Sequence, residues 1–355
     1  MKIACLQFAP ILGEVQRNID HATSMVAKLK PEDVDVLILP EMAFSGYVFT
    51  SKDHIRPYLE NAETGPSIQW AKAQAIRLNA HVQVGYPEKR VVNKTDPFKE
   101  EYYNSVAFVS PQGVLLNTYA KHFLYYTDEN WAEEGPSFES MPVEGLGQVG
   151  FGICMDVNPY QFKTPFSDFE FSSFHFGQKS NLLLCSMAWN KGEEAPKKEK
   201  VEPKPKSKKS KAQLENQKEQ RKDPDESADD PRVAETEGGG ENEAAEVEEE
   251  DDEDEEDWED ELDEAELERE ALELQYETIH YWAVRMSPFY KQQEKAGGKE
   301  PFLETYLAIA NRIGTESGVL FVGSSCVIKL TKDGPELVGA LPSDKEGILL
   351  VETSD

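Results

Sequence analysis

The chain has 355 residues, with 37 lysines and arginines against 68 aspartates and glutamates, for a formal net charge of −31. So large an acid excess argues against nucleic-acid binding through a basic surface. The hydrophobic fraction, 39%, is low for a globular enzyme, but the deficit is local: residues 191–265 hold 31 acidic and 13 basic residues, and the rest of the chain is rich in Val, Ile, Leu and Phe.

In chain order, residues 3–8 read as a strand, 19–29 as a helix and 34–39 as a buried strand that runs into Pro40-Glu41. Residues 67–78 form the next predicted helix, with Pro66 near its start. Strands follow at 81–85, 104–109 and 113–119, the last two joined by the turn signal Ser110-Pro111-Gln112-Gly113. Two more apolar strands are predicted at 149–154 and 182–187. Beyond the polar stretch, 266–281 and 303–313 have helical periodicity, and short strands are expected at 319–322, 326–330, 337–340 and 347–351. Strands interleaved with helices indicate an α/β layered fold with a large mixed sheet. Its two pieces, 1–190 and 266–355, make one domain.

Residues 191–265 interrupt the pattern, with a Lys-rich block (197–211) giving way to an acidic run (248–257). Too little apolar surface is present to offset chain ordering, so disorder is expected. A solvated insertion of this kind adds little to folding cost, because closure entropy grows slowly with length. The functional alternatives are an arm that docks basic partners, or a lid.

The amino terminus reads directly as a strand, and no apolar stretch is long enough to span a bilayer. The four cysteines lie far apart, which argues against a disulfide framework and for a reducing compartment. A protein of the cytoplasm, or of the nucleus, without membrane contact is expected. The histidines show no metal-ligand spacing and no Gly-rich phosphate loop appears, so neither a metal nor an organic cofactor is expected.

Three ionisable residues stand at predicted strand ends: Glu41, Lys121 and Cys154. Amide hydrolysis through a covalent intermediate needs a nucleophile, a base and positive stabilisation of the oxyanion. Cys154 supplies the thiol. Glu41 is the candidate base, provided burial raises its pKa into a useful range. Lys121 would place its ammonium beside the oxyanion, next to the backbone N–H of Met155. Cys5, Cys185 and Cys326 sit in apolar runs and read as core residues.

The segments Leu39-Pro40-Glu41-Met42-Ala43-Phe44-Ser45-Gly46-Tyr47, Tyr119-Ala120-Lys121-His122-Phe123-Leu124 and Gly152-Ile153-Cys154-Met155-Asp156 together resemble the nitrilase, or carbon–nitrogen hydrolase, superfamily. Tyr103-Asn104-Ser105 ahead of the lysine strand adds to the likeness. The resemblance implies a four-layer αββα sandwich and these roles for Glu41, Lys121 and Cys154. It also implies a second carboxylate after the lysine, expected at Glu129 with the adjacent Asp128 as the alternative.

Within that superfamily, Ile153-Cys154-Met155-Asp156 with Asn158-Pro159-Tyr160-Gln161-Phe162, and Leu184-Cys185-Ser186-Met187-Ala188-Trp189, look most like fungal-type protein N-terminal asparagine and glutamine amidohydrolases. This likeness implies proteins or peptides beginning with Asn or Gln as partners, Trp189 and Met155 on the substrate side, and products that enter an N-degron pathway. Asp156 is expected to face the pocket and pair with the substrate's cationic α-amino group; the alternative is a carboxylate capping the turn. The rival amidases, acting on free ω-amides or carbamoyl compounds, take substrates that carry a carboxylate. No arginine lies between Arg90 and Arg221 to bind one. A non-catalytic acidic interaction protein is the remaining alternative. Self-association is open, since many members of the superfamily oligomerise through helical faces.

Overall fold

The computed structural model describes residues 1–93, 96–191, 259–295 and 302–353. Along the chain these form β1 (Lys2–Gln7), α1 (Val15–Val26), β2 (Val36–Ile38), α2 (Pro66–Leu78), β3 (His81–Asn93), β4 (Asp96–Val109), β5 (Leu115–Ala120), β6 (Ser140–Val143) and β7 (Gly147–Ile153). Then come α3 (Glu170–Gly177), β8 (Leu182–Met187), α4 (Glu259–Arg285), α5 (Ser287–Lys295), β9 (Thr305–Asn311), β10 (Ile313–Glu316), β11 (Val319–Val322), β12 (Cys326–Thr331), β13 (Gly334–Ala340) and β14 (Gly347–Glu352). Met1–Gly192 and Leu262–Asp355 pack as one compact unit. The predicted insertion, 191–265, lies outside the described residues except at its two ends.

The strands make two six-stranded mixed sheets, ordered β14-β1-β2-β3-β4-β5 and β13-β12-β9-β8-β7-β6, while β10 and β11 form a hairpin of their own. The centre of each sheet is parallel: β1 with β2 and β2 with β3 in the first, β7 with β8 and β8 with β9 in the second. Parallel strands are covered on both faces, which is why β8 reads Leu182-Leu183-Leu184-Cys185 and is buried throughout.

Alternation along the strands sorts side chains into layers. Ile3, Cys5, Val36, Ile38, Val106 and Phe108 of the first sheet share one core cluster with β7, β8, β9 and β12; Phe171 of α3, Trp282 of α4 and Phe289 of α5 belong to it as well. The intervening residues Ala4, Leu6, Leu37 and Val82 pack instead against α1 and α2, through Ala22, Val26, Ile68 and Ala71. Helices, sheet, sheet and helices thus give the expected four layers.

One predicted element changes type. The segment 303–313, expected to be helical, is strand β9: Thr305–Asn311 is buried at every position and pairs with both β8 and β12. A short, continuous apolar run does not reveal its period, so strand and helix read alike. The helix predicted to begin at 266 begins at Glu259. Among the described residues, no helix is long and apolar enough to cross a membrane.

Candidate active site

The seam between the two sheets gathers the strand ends. Glu41 follows β2 after Leu39-Pro40, and its backbone N–H donates to Met187 O at the end of β8 (3.3 Å). Gly85 in β3 makes room for this loop, because a Cβ there would stand 2.6 Å from Pro40 O and 2.7 Å from the Glu41 Cα. Lys121 follows β5 directly, its N–H donating to Asn104 O of β4 (2.8 Å). Cys154 follows β7 and opens a one-turn helix, Cys154–Val157. Its φ of +39° lies in the left-handed region, a costly backbone state for a side-chain-bearing residue that is met at functional turns.

Below the thiol lies a closed charge cluster. Lys121 Nζ is 2.6 Å from Glu41 Oε1 and 2.5 Å from Asp128 Oδ2, and all three side chains are inaccessible to solvent. Asn104 Nδ2 bridges the carboxylates, donating to Glu41 Oε1 (2.7 Å) and Asp128 Oδ1 (3.0 Å). The Ala188 N–H donates to Glu41 Oε2 (2.8 Å). Tyr47 Oη (3.3 Å) and the Tyr125 N–H (3.1 Å) donate to Asp128 Oδ2. An ammonium carries three donors; two are taken by the carboxylates, leaving one.

Burial pushes the Glu41 pKa up, the Lys121 charge pulls against it, and the net position lies above the usual carboxylate value of 4.5. Burial works against the charge on Lys121, but Asp128 and Glu41 outweigh it and keep the amine protonated. Two carboxylates around one ammonium leave the cluster with an excess negative charge, which suits Glu41 to accept a proton.

Cys154 is 8% exposed and opens onto a cavity of 270 Å³, whose lining includes Tyr47, Tyr125, Met155, Trp189 and Tyr281. Burial raises its pKa well above the ordinary thiol value, the nearby Glu41 carboxylate raises it further, and Lys121 offsets part of this. Attack by this sulfur therefore calls for a base to take its proton. Cys5, Cys185 and Cys326 are fully buried in the sheets, and Cys5 is pushed up to about 12 by burial. A larger groove of 390 Å³ between α4 and strands β12 and β13 is lined by neither acid nor thiol. Among the described residues, no cluster of His, Cys, Asp or Glu is arranged to hold a metal.

Two predicted site residues are corrected. Glu129 is exposed; the carboxylate on Lys121 is that of its neighbour Asp128. Both sit on the turn Asp128–Asn130, whose first residue points inward. Asp156 does not face the cavity. It is fully buried, with Oδ1 accepting from the N–H groups of His122 (3.0 Å) and Phe123 (2.9 Å) and Oδ2 from the Ile153 N–H and Tyr119 Oη (2.8 Å each). Its carboxylate ties the turn after Lys121 to the strand end that carries Cys154, and no oxygen remains to greet a substrate. Burial raises its pKa, and these hydrogen bonds oppose the shift.

Met155 and Trp189 line the cavity. Asn104, Tyr47, Tyr125 and Tyr281 were not singled out in the sequence. Asn104 has a signal there, the Tyr103-Asn104-Ser105 segment; Tyr281 has none, since it reaches the site from α4.

Residues 2–160 match the carbon-nitrogen hydrolase family. The chain is similar to the protein N-terminal amidase of Schizosaccharomyces pombe, with 29% identity over 99% of each chain. It also superposes on the crystal structure of an N-terminal amidase with an Asn-Glu-Ala peptide (TM-score 0.68, 24% identity, 99% of this chain and 97% of that one). The structure of an N-terminal amidase with a Gln-Gly peptide gives a TM-score of 0.67 at 24% identity, covering 99% and 96%.

Proposed function

We propose that this chain, a member of the carbon–nitrogen hydrolase family, is a protein N-terminal amidase that converts an amino-terminal Asn or Gln to Asp or Glu and releases ammonia. The observation that carries this reading is the Lys121 ammonium clamped between Glu41 and Asp128 beside a buried thiol that opens onto a cavity. The choice of substrate is supported by the similarity, along nearly the full length, to a protein so named. The peptides in the two solved N-terminal amidases begin with Asn and Gln.

The reaction follows from the geometry. The side-chain carboxamide sits over Cys154, whose proton passes to Glu41 as Sγ attacks the carbonyl carbon. The oxyanion is met by the remaining Lys121 N–H and the Met155 backbone N–H; such donors act strongly in a dry site and need no reorganisation. Collapse breaks the C–N bond, and the proton on Glu41 leaves with the nitrogen as ammonia. The thioester is then hydrolysed by water that Glu41 deprotonates. A second tetrahedral intermediate expels the thiolate, which recovers its proton. Asp128 and Asn104 hold Lys121 and Glu41 in place throughout.

The test is to incubate the purified protein with peptides beginning in Asn, Gln or N-acetyl-Asn, and to follow ammonia release and amide-to-acid conversion by mass spectrometry. Ammonia from the Asn and Gln peptides, with little from the acetylated one, is expected. No turnover of either free peptide would overturn the reading.

A further inference from the structure

With Asp156 committed to the backbone, the cavity needs another means of recognising a cationic amino terminus. Glu41 and Asp128 are both taken by Lys121, and no carboxylate lines the cavity among the described residues. Its lining holds five aromatic side chains, beside Asn158 and Asn190. Trp189, Tyr281 and Tyr125 are each only partly buried and line the space in front of Cys154.

Building on the proposed activity, we infer that the aromatic faces of Trp189 and Tyr281 receive the substrate's α-ammonium by cation–π attraction, in place of a carboxylate. Trp189 is rigidly mounted: its N–H donates to Asn311 Oδ1 (2.8 Å) and its carbonyl accepts from the Val322 N–H (3.1 Å). Its ring centroid lies 5.4 Å from that of Tyr281, at 48°. The Tyr281 hydroxyl is engaged with Asn158 Oδ1 (2.7 Å), so that residue offers its ring rather than its oxygen. Two inclined aromatic faces make the partial cage that suits an ammonium, and Trp is the strongest such ring. An α-amino group has an ordinary pKa of about 7.7–8.0 and is mostly cationic at neutral pH. Among the described residues, the one charged side chain on the lining, Lys191, is exposed, where solvent and salt screen its repulsion.

The experiment measures peptide binding by calorimetry in a Cys154→Ala background, where no turnover intervenes. Three ligands share one Asn-initiated sequence: a free amino terminus, an N,N-dimethylated one that stays cationic, and an N-acetylated one that is neutral. The free peptide is expected to bind about tenfold more tightly than the acetylated one, between the values for an exposed and for a desolvated cation–π contact, and the dimethylated peptide to keep most of that advantage. Trp189→Leu should erase the advantage and Trp189→Phe should retain part of it; if the leucine variant fails to fold, the phenylalanine variant carries the test. Three results would overturn the inference: no preference for the free peptide, dimethylated peptide binding as weakly as acetylated, or a preference unchanged by both substitutions. Failure of the amidase reading is separate, because it shows as absent ammonia release from the Cys154-intact protein.

Discussion

The floor and the wall of the cavity are built on opposite principles. On the floor, Glu41, Lys121 and Asp128 are fully buried charges, each hydrogen-bonded to another member or to Asn104. On the wall, Trp189, Tyr281 and Tyr125 are partly exposed aromatics. Buried charge is confined to the place where charge develops during reaction, and it is shielded from water, which strengthens its effect. Recognition is left to surfaces that cost little to desolvate when a peptide enters. The difference teaches that a carboxylate next to the nucleophile in sequence is not thereby on the substrate side, as Asp156 shows.

The largest expected effect lies at the border of the two regions. Cys154→Ala should lower ammonia release by about 10⁶-fold, the scale of losing a covalent nucleophile, while circular dichroism stays native. On the floor, Lys121→Met should reduce kcat by about 10²–10³-fold, as removal of an oxyanion donor does. Some stability is lost as well, because two buried carboxylates are left without a counter-charge. Asp128→Asn should cost about 10–100-fold, in line with a hydrogen bond to a charged group, whereas Glu129→Gln should change the rate by no more than about twofold, as expected at an exposed position. Equal effects at 128 and 129 would break the assignment of the floor.

Asp156→Asn separates support from chemistry. It turns one acceptor oxygen into a donor facing buried N–H or O–H groups, so urea denaturation should show a loss of about 2–3 kcal/mol. The preference for free over acetylated peptides should persist in the folded fraction. Loss of that preference alone, at full stability, would return Asp156 to the substrate side.

The pH profile probes the floor through Glu41. The base must be ionised to take the thiol proton, and its pKa is raised above 4.5, chiefly by burial. The rate should therefore fall as pH drops through a limb that lies above 4.5, and Glu41→Gln should abolish both the limb and nearly all activity.

Much of the floor was legible in the sequence because its residues follow apolar strands: Glu41 after β2, Lys121 after β5 and Cys154 after β7 each close a readable run. The four-layer sandwich was legible through the interleaving of elements and the family resemblance. Side-chain direction within a turn was not. Asp128 and Glu129 are adjacent acids with the same local composition, and only the packing of Tyr47, Asn104 and Lys121 decides which one is inward. The direction of Asp156 was hidden for a similar reason, since its partners His122 and Phe123 lie on another strand end. Tyr281 reaches the cavity from beyond the polar insertion, so no local pattern pointed to it. Strand β9 was read as a helix because burial on both faces erased its period.

The most direct measurement is rapid-quench mass spectrometry of the intact protein during turnover of an Asn-initiated peptide. A transient adduct equal to the peptide less ammonia, mapped to Cys154 and lost on standing, is the predicted result. Ammonia release at full rate with no adduct at Cys154, or with Cys154 replaced by alanine, would contradict the account.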